Sequence, residues 1–280
     1  MKGICLILLV LLVSGCVRLP EEPPQEMFLS TATISDGLVE QYVYQSRRAE
    51  TVFKRGPEKR RNLLLVVADS FIQNELRSKA EQYLGYTAPD DLDLEELSWW
   101  HYAPLLEDIY NEVYLIKRTG AQYAIIQEAV ERLERKEVSY DIIFLTHGLP
   151  NHISPGQDYF LSWYEIARWK GKLHHLNLVF MQGCFGRTLE QDWAEAGAQM
   201  VISYDGFNQN FFYLSSFLRW YRWMPDDVPT AYAKANTYLA SNIESSLLYR
   251  TIIQKVLESD VNAYLANSEL PVLFETGQSL

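Results

Sequence analysis

The sequence predicts an α/β fold, a mostly parallel sheet with helices on both faces. Three observations carry this reading. Short apolar runs at Leu63–Ala68, Asp141–Thr146, Leu176–Met181 and Ala198–Ser203 have the length and near-continuous hydrophobicity of strands buried on both sides. Between the first two, Ala121, Ile125, Ile126, Ala129, Val130 and Leu133 recur at the spacing of an amphipathic helix. Strands that alternate with helices need right-handed crossovers, and such crossovers build parallel sheets.

The chain starts with a different kind of segment. Lys2 is followed by an apolar run, Ile4–Val13, of ten residues. A membrane span needs about 20, so the run suits a secretory signal instead. Val13-Ser14-Gly15-Cys16 follows and resembles the lipobox of bacterial lipoproteins. That resemblance implies removal of residues 1–15 and acylation of Cys16, which anchors the protein to a membrane. Val17 rather than Asp follows the cysteine. By the same resemblance the protein carries no inner-membrane retention signal, and the expected location is the bacterial cell envelope, at the outer membrane if the cell is Gram-negative.

Residues 16–36, rich in Pro and Glu, read as an acylated tether. Residues 37–61 read as a basic linker and lead-in, with Lys54, Arg55, Lys59, Arg60 and Arg61 clustered around Gly56-Pro57. A solvated linker is the plain account of that cluster; contact with anionic lipid and proteolytic processing are the alternatives. Residues 62–280 read as one α/β domain. Its elements in order are the strand at 63–68, helices over 70–84 and 97–112, a strand at 113–118, and the amphipathic helix. The strand at 141–146, a helix near 160–170 and the strands at 176–181 and 198–203 follow. A helical tail over 228–258 and an edge strand at 271–274 complete it.

Composition narrows the partners. With 36 acidic and 25 basic side chains the net charge is −11, which gives no electrostatic reason to hold a phosphate backbone. Three cysteines, two within the first 16 residues, are too few for a disulfide scaffold. Outside the cytoplasm an idle thiol is a liability, so Cys184, the one free thiol expected once Cys5 is removed and Cys16 acylated, invites a chemical explanation. His174, His175 and His152 lack the helix-spaced pairing of a zinc site, so no metal and no cofactor is expected.

In open parallel sheets, sites form at the carboxyl ends of strands. Three predicted strands end in reactive sequence: Asp69-Ser70, Thr146-His147-Gly148, and Gln182-Gly183-Cys184-Phe185-Gly186. His147 and Cys184 lie one strand–helix–strand unit apart, which places them at the tips of neighbouring strands. A cysteine nucleophile needs such an imidazole to supply thiolate.

A hydrophobic strand ending in His-Gly, then another ending in Gln-x-Cys-x-Gly, resembles the caspase-like cysteine peptidases: caspases, metacaspases, gingipains and clostripain. The likeness spans roughly residues 62–206. It implies a three-layer sandwich, Cys184 as nucleophile, and His147 as general base and acid. It also implies an oxyanion hole from the backbone N–H groups of Gly148 and Cys184, and a specificity pocket lined by Gln182. Asp69 resembles the acidic pocket residue of metacaspases, which favours cleavage after Arg or Lys and makes segment 54–61 a candidate self-cleavage site. Asp205, at the end of the next strand, is a further pocket candidate, or the opening residue of a turn. Gly183 and Phe185 depart from the caspase pattern, and the spacing is shorter than its roughly 50 residues. The expected partners are a peptide or protein substrate and the membrane. The alternative is a non-catalytic binding or scaffolding lipoprotein on the same fold.

Overall fold

The structure is a computed structural model. It describes residues 39–43, 61–67, 102, 105–106, 108–117, 123–154, 160–206, 213–245 and 270–276. The chain divides into two compact units, one holding the sheet and the other two helices of residues 213–245.

The sheet unit contains the strands β1 (Val39–Val43), β2 (Asn62–Val67), β3 (Glu112–Lys117), β4 (Tyr140–Leu145), β5 (His147–Leu149), β6 (His152–Ser154), β7 (Leu161–Ser162), β8 (Leu176–Met181), β9 (Met200–Ser203) and β10 (Val272–Glu275). Its helices are α1 (Tyr123–Glu134), α2 (Trp163–Ile166, prolonged by a 3₁₀ turn over Ala167–Trp169) and α3 (Glu190–Ala196). Seven strands form the main sheet in the order β1-β3-β2-β4-β8-β9-β10. The five central strands are parallel, while β1 and β10 pair antiparallel at the two edges. The α/β architecture with a mostly parallel sheet is thus present.

Register explains the sequence pattern. Leu64 lies opposite Tyr114 and Ile142, and Val66 opposite Ile116 and Phe144. Ile142 and Phe144 face Val179 and Met181 in turn. These residues share one face and pack with Ile126, Ala129, Val130 and Leu133 of α1, with Trp169, and with Trp193 of α3. The rings of Trp169 and Trp193 stack at 5.7 Å, and Phe144 lies 5.8 Å from Trp193. The alternate residues Leu63, Leu65, Leu115, Ile143, Phe180 and Ile202 are equally buried. Burial on both faces is why these strands read as continuous apolar runs. The crossovers β3→β4, β4→β8 and β8→β9 all step the same way across the sheet, so right-handed connections lay α1, α2 and α3 on the same face.

Several expectations change. Val39–Val43, inside the presumed linker, is strand β1. Glu112 opens β3 instead of closing a helix. The helix near 160–170 is a single turn with a 3₁₀ extension, and the stretch before it, to which the sequence assigns no element, forms a second sheet of order β5-β6-β7. The predicted edge strand is β10, at Val272–Glu275. The processing and acylation segment at 1–16, the tether, the cluster at 54–60 and the helix at 70–84 lie outside the described residues.

The second unit comprises α4 (Tyr213–Tyr221) and α5 (Val228–Ser245). The Asp227 carboxylate accepts the Thr230 backbone N–H at 3.0 Å, which caps α5, and hydrogen bonding to the Thr230 side chain and then its backbone lowers the Asp227 pKa. Tyr213 meets Tyr232 at 6.4 Å and Trp220 meets Tyr238 at 6.2 Å, so α4 packs against α5 in part through aromatic rings.

The amino ends of the central strands hold a buried polar cluster. Asp141 is fully buried, and accepts from the Tyr110 hydroxyl at 2.8 Å and the Asn177 amide at 3.0 Å. The Arg61 guanidinium stands 3.6 Å from the same carboxylate. Arg61 is therefore buried at the start of the sheet, not solvated in a linker. A register shift between β4 and β8 leaves Asn177 as the extra residue of a bulge beside Asp141. Burial pushes the Asp141 carboxyl above its ordinary value, against the opposing pull of Arg61, Asn177 and Tyr110. The native state then holds this proton more tightly than the unfolded chain does. The stability contributed is complete below about pH 3.9 and is lost as pH rises through the raised native value. Asp141→Asn, which cannot ionise, should gain on the wild type between about pH 4 and pH 7. Denaturant unfolding at both pH values checks this; a gap moving the other way would mean that the Arg61 pairing outweighs burial.

Candidate active site

The other end of the sheet is built differently. β4 runs into Thr146, which is fully buried, and the chain then turns directly into β5 with His147 exposed. β8 ends at Met181, and the Gln182 N–H still donates to the Phe144 carbonyl at 2.9 Å. Gln182 is therefore buried between strand ends, and Cys184 stands half-buried at the strand-to-helix turn that follows. β4 and β8 are hydrogen-bonded parallel neighbours. The chain thus brings the His-Gly and Gly-Cys sequences to adjacent carboxyl ends. It also reverses its direction of travel across the sheet between β2 and β4, so the crevice of an open parallel sheet opens beside His147.

Two glycines let the two turns touch. A methyl group on Gly148 would fall 2.0 Å from the Cys184 carbonyl oxygen and 3.1 Å from its nitrogen. A methyl group on Gly183 would meet the Thr146 oxygen at 3.0 Å and the Gly148 nitrogen at 3.1 Å. All these neighbours are backbone atoms, so position 148 requires glycine, while a β-carbon at 183 would have to press the facing backbone back by a few tenths of an ångström. The peptide nitrogens of Gly148 and Cys184, the expected oxyanion donors, belong to these abutting segments.

Hydrogen bonds hold the arrangement. Asn151, at φ 65° in the Pro150-Asn151 turn between β5 and β6, donates its N–H to the Thr188 hydroxyl at 2.7 Å. That hydroxyl donates onward to the Phe185 carbonyl at 2.8 Å. Thr188 therefore ties the turn after His147 to the turn after Cys184. Phe185 itself sits at φ 55°, a left-handed conformation that costs a bulky side chain about 1–3 kcal/mol. Its N–H donates to the Gly206 carbonyl at 2.8 Å, and the Arg187 N–H donates to the Tyr204 carbonyl at 3.0 Å. The cysteine turn is thereby pinned to the end of β9.

Charge near the cysteine turn is largely self-compensated. The Arg187 guanidinium reaches Asp205 at 2.9 Å and Glu190 at 3.9 Å. Glu190, nearly buried, accepts the Ser203 hydroxyl at 2.6 Å. Its carboxyl is pushed up by burial, although Ser203 and Arg187 pull the other way. Asp205 is exposed and is the partner of Arg187, so its charge is shared with a cation on the same rim.

The remaining sequence candidates fall elsewhere. Asp69 lies outside the described residues, although β2, which precedes it, is the neighbour of β4. His174 and His175 stand before β8, at the opposite end of the sheet, with backbone N–H groups donating to Glu134. His152 opens β6 and its Nδ1 approaches the Pro150 carbonyl at 2.9 Å. Among the described residues, no three His, Cys, Asp or Glu side chains converge as metal ligands. Thr188 and Arg187 were missed by the sequence reading. Their signal was local: a hydroxyl and a cation in the turn after the cysteine, with Glu190 three residues beyond Arg187.

No protein-family model matches this chain, and no curated protein matches it either. The fold and the geometry of the two strand ends carry the functional reading.

The two kinds of support predict different failures. Gly148→Ala forces backbone apart and should cost about 3 kcal/mol, the upper end of the overpacking range, in denaturant unfolding. Thr188→Val removes two partly exposed hydrogen bonds and should cost no more than about 1.5 kcal/mol. It should nevertheless lower the His147-dependent part of the Cys184 alkylation rate several-fold, which a purely structural role would leave unchanged.

Proposed function

We propose that this chain is a membrane-anchored cysteine endopeptidase with a caspase-like, three-layer domain, acting through Cys184 and His147. The observation that carries the proposal is the reciprocal fit of Gly148 and Gly183, which abuts the His147 and Cys184 turns at adjacent parallel strand ends. Such a fit has no use in burying apolar surface. It serves a site where a thiol, an imidazole and two peptide N–H groups must converge on one carbonyl.

In the proposed reaction His147 takes the Cys184 proton, and the thiolate attacks the scissile carbonyl carbon. The carbonyl oxygen becomes an oxyanion held by the N–H groups of Gly148 and Cys184. As the C–N bond breaks, His147 gives its proton to the departing amine, leaving a thioester on Cys184. Water then attacks that thioester with His147 as base, releasing the acid and restoring the thiol. No cofactor enters these steps. Gln182 supports the pocket from its buried position between the strand ends.

Preference for Arg or Lys before the cut bond rests on Asp69, because Arg187 shares the charge of Asp205. Anchoring rests on the lipobox-like Val13–Cys16, which assigns the protein to the cell envelope through acyl chains on Cys16.

Alkylation of Cys184 by iodoacetamide, read at that residue by peptide mass across pH, tests the dyad. We expect fast reaction below pH 7, well under the ordinary thiol value of about 8.5, and slowing in His147→Ala. An ordinary thiol profile indifferent to His147 would overturn the peptidase reading and favour a binding lipoprotein.

A further inference from the structure

The small sheet that carries His147 has two unlike faces. In an antiparallel pair, residues directly opposite one another project to the same side. Gly148 pairs with Ile153, and Ile153 pairs with Leu161. Ile153 and Leu161 are buried, and Gly148 rests against Cys184, so this face is turned inward. The other face carries His147 opposite Ser154, and Leu149 opposite His152, which in turn lies opposite Ser162. Phe160, just before β7, brings its ring edge-on to His152 at 6.2 Å.

The outward face is apolar where it is largest. Leu149 is 51% exposed and Phe160 45% exposed. An exposed leucine alone means little, but these two flank an imidazole on the face that displays His147. None of His147, Leu149, His152, Ser154, Phe160 and Ser162 is acidic, lysine or arginine, and the Glu165 carboxylate that touches this face is engaged by the Ser162 N–H and hydroxyl, at 2.8 and 3.0 Å. The occupant this chemistry suits is an uncharged apolar side chain. Spacing agrees: a strand advances about 3.3 Å per residue, so Leu149 lies about 7 Å beyond His147, two residues along an extended peptide.

We propose that the exposed face of the β5-β6-β7 sheet, through Leu149 and Phe160 with His152 between them, is a substrate platform that selects extended peptides bearing a large apolar or aromatic side chain about two residues from the cut bond. This rests on the peptidase reading and assigns the substrate class of that same site. A carbonyl held at Cys184 and His147 leaves one arm of its peptide running along β5. Covering Leu149 and Phe160 removes apolar surface from water, while a serine in the same place gains nothing.

The test uses the full chain and internally quenched peptides randomised at the cleaved residue. On both sides, the positions one and two residues further out hold either Leu and Phe or Ser and Ser. Iodoacetamide reactivity of Cys184 with and without His147→Ala is measured in parallel. We expect kcat/KM for the apolar set to exceed that for the serine set by about tenfold or more, as burial of one large side chain implies. The ratio should fall toward unity in Leu149→Ser and Phe160→Ser. A ratio is internal to each variant, so partial loss of folded protein does not imitate this result. An activated thiol with a wild-type ratio near one overturns the platform and leaves the peptidase reading standing. A high ratio that both variants retain also overturns the platform. An ordinary thiol profile with no cleavage overturns the reading and the platform together.

Discussion

The contact between two stretches of main chain, at Gly148 and Gly183, is what the rest of the sheet's carboxyl end depends on. Adjacent parallel strands are separated by about 5 Å, too close for two turns carrying side chains to fold toward each other. Removing both β-carbons allows the turns to meet, and the space gained is filled by peptide groups instead of apolar atoms. The result is a local concentration of N–H and C=O groups beside a thiol and an imidazole. Left-handed backbone at Phe185 falls at the sharp bend just after Cys184, and that at Asn151 belongs to the tight turn between β5 and β6. The strain is held in place by Thr188 and by the bonds to Gly206 and Tyr204.

The sheet is polarised. At its amino ends Arg61, Asp141, Tyr110 and Asn177 satisfy one another out of solvent, and burial raises the pKa of Asp141 and of Tyr110. At its carboxyl ends His147 is exposed and Cys184 half-buried, while Arg187 pairs with the exposed Asp205 and the nearly buried Glu190. A buried ionic cluster is costly to break but contributes little chemistry. An open end can admit a substrate. The crossovers on the α1–α3 face share one direction, which covers that face with a single layer and leaves the strand ends to turns and to the small sheet.

Much of this was legible from residue types. The apolar runs at 63–68, 141–146, 176–181 and 198–203 emerged as β2, β4, β8 and β9, because burial on both faces leaves no polar alternation to obscure them. α1 was legible because one face of it is buried and the other is not. Strand β1 was hidden because Val39–Val43 is a short edge strand, whose composition resembles its linker surroundings. The β5-β6-β7 sheet was hidden for a similar reason: strands of two or three residues are too short to express a period. Arg61 read as one of a run of surface cations, and only its proximity to Asp141, eighty residues on, distinguishes it.

By itself the sequence determined that His147 and Cys184 stand at strand ends one crossover apart. Hydrophobic periodicity and the two-residue His-Gly and Gly-Cys signatures are local properties, readable without coordinates. Tertiary structure alone decided that the two glycines interlock, that Thr188 bridges the two turns, and that Arg187 pairs with Asp205. It also decided which face of the small sheet accompanies His147 into the open. Each of these depends on strand order and register, which bring together residues that no local pattern links.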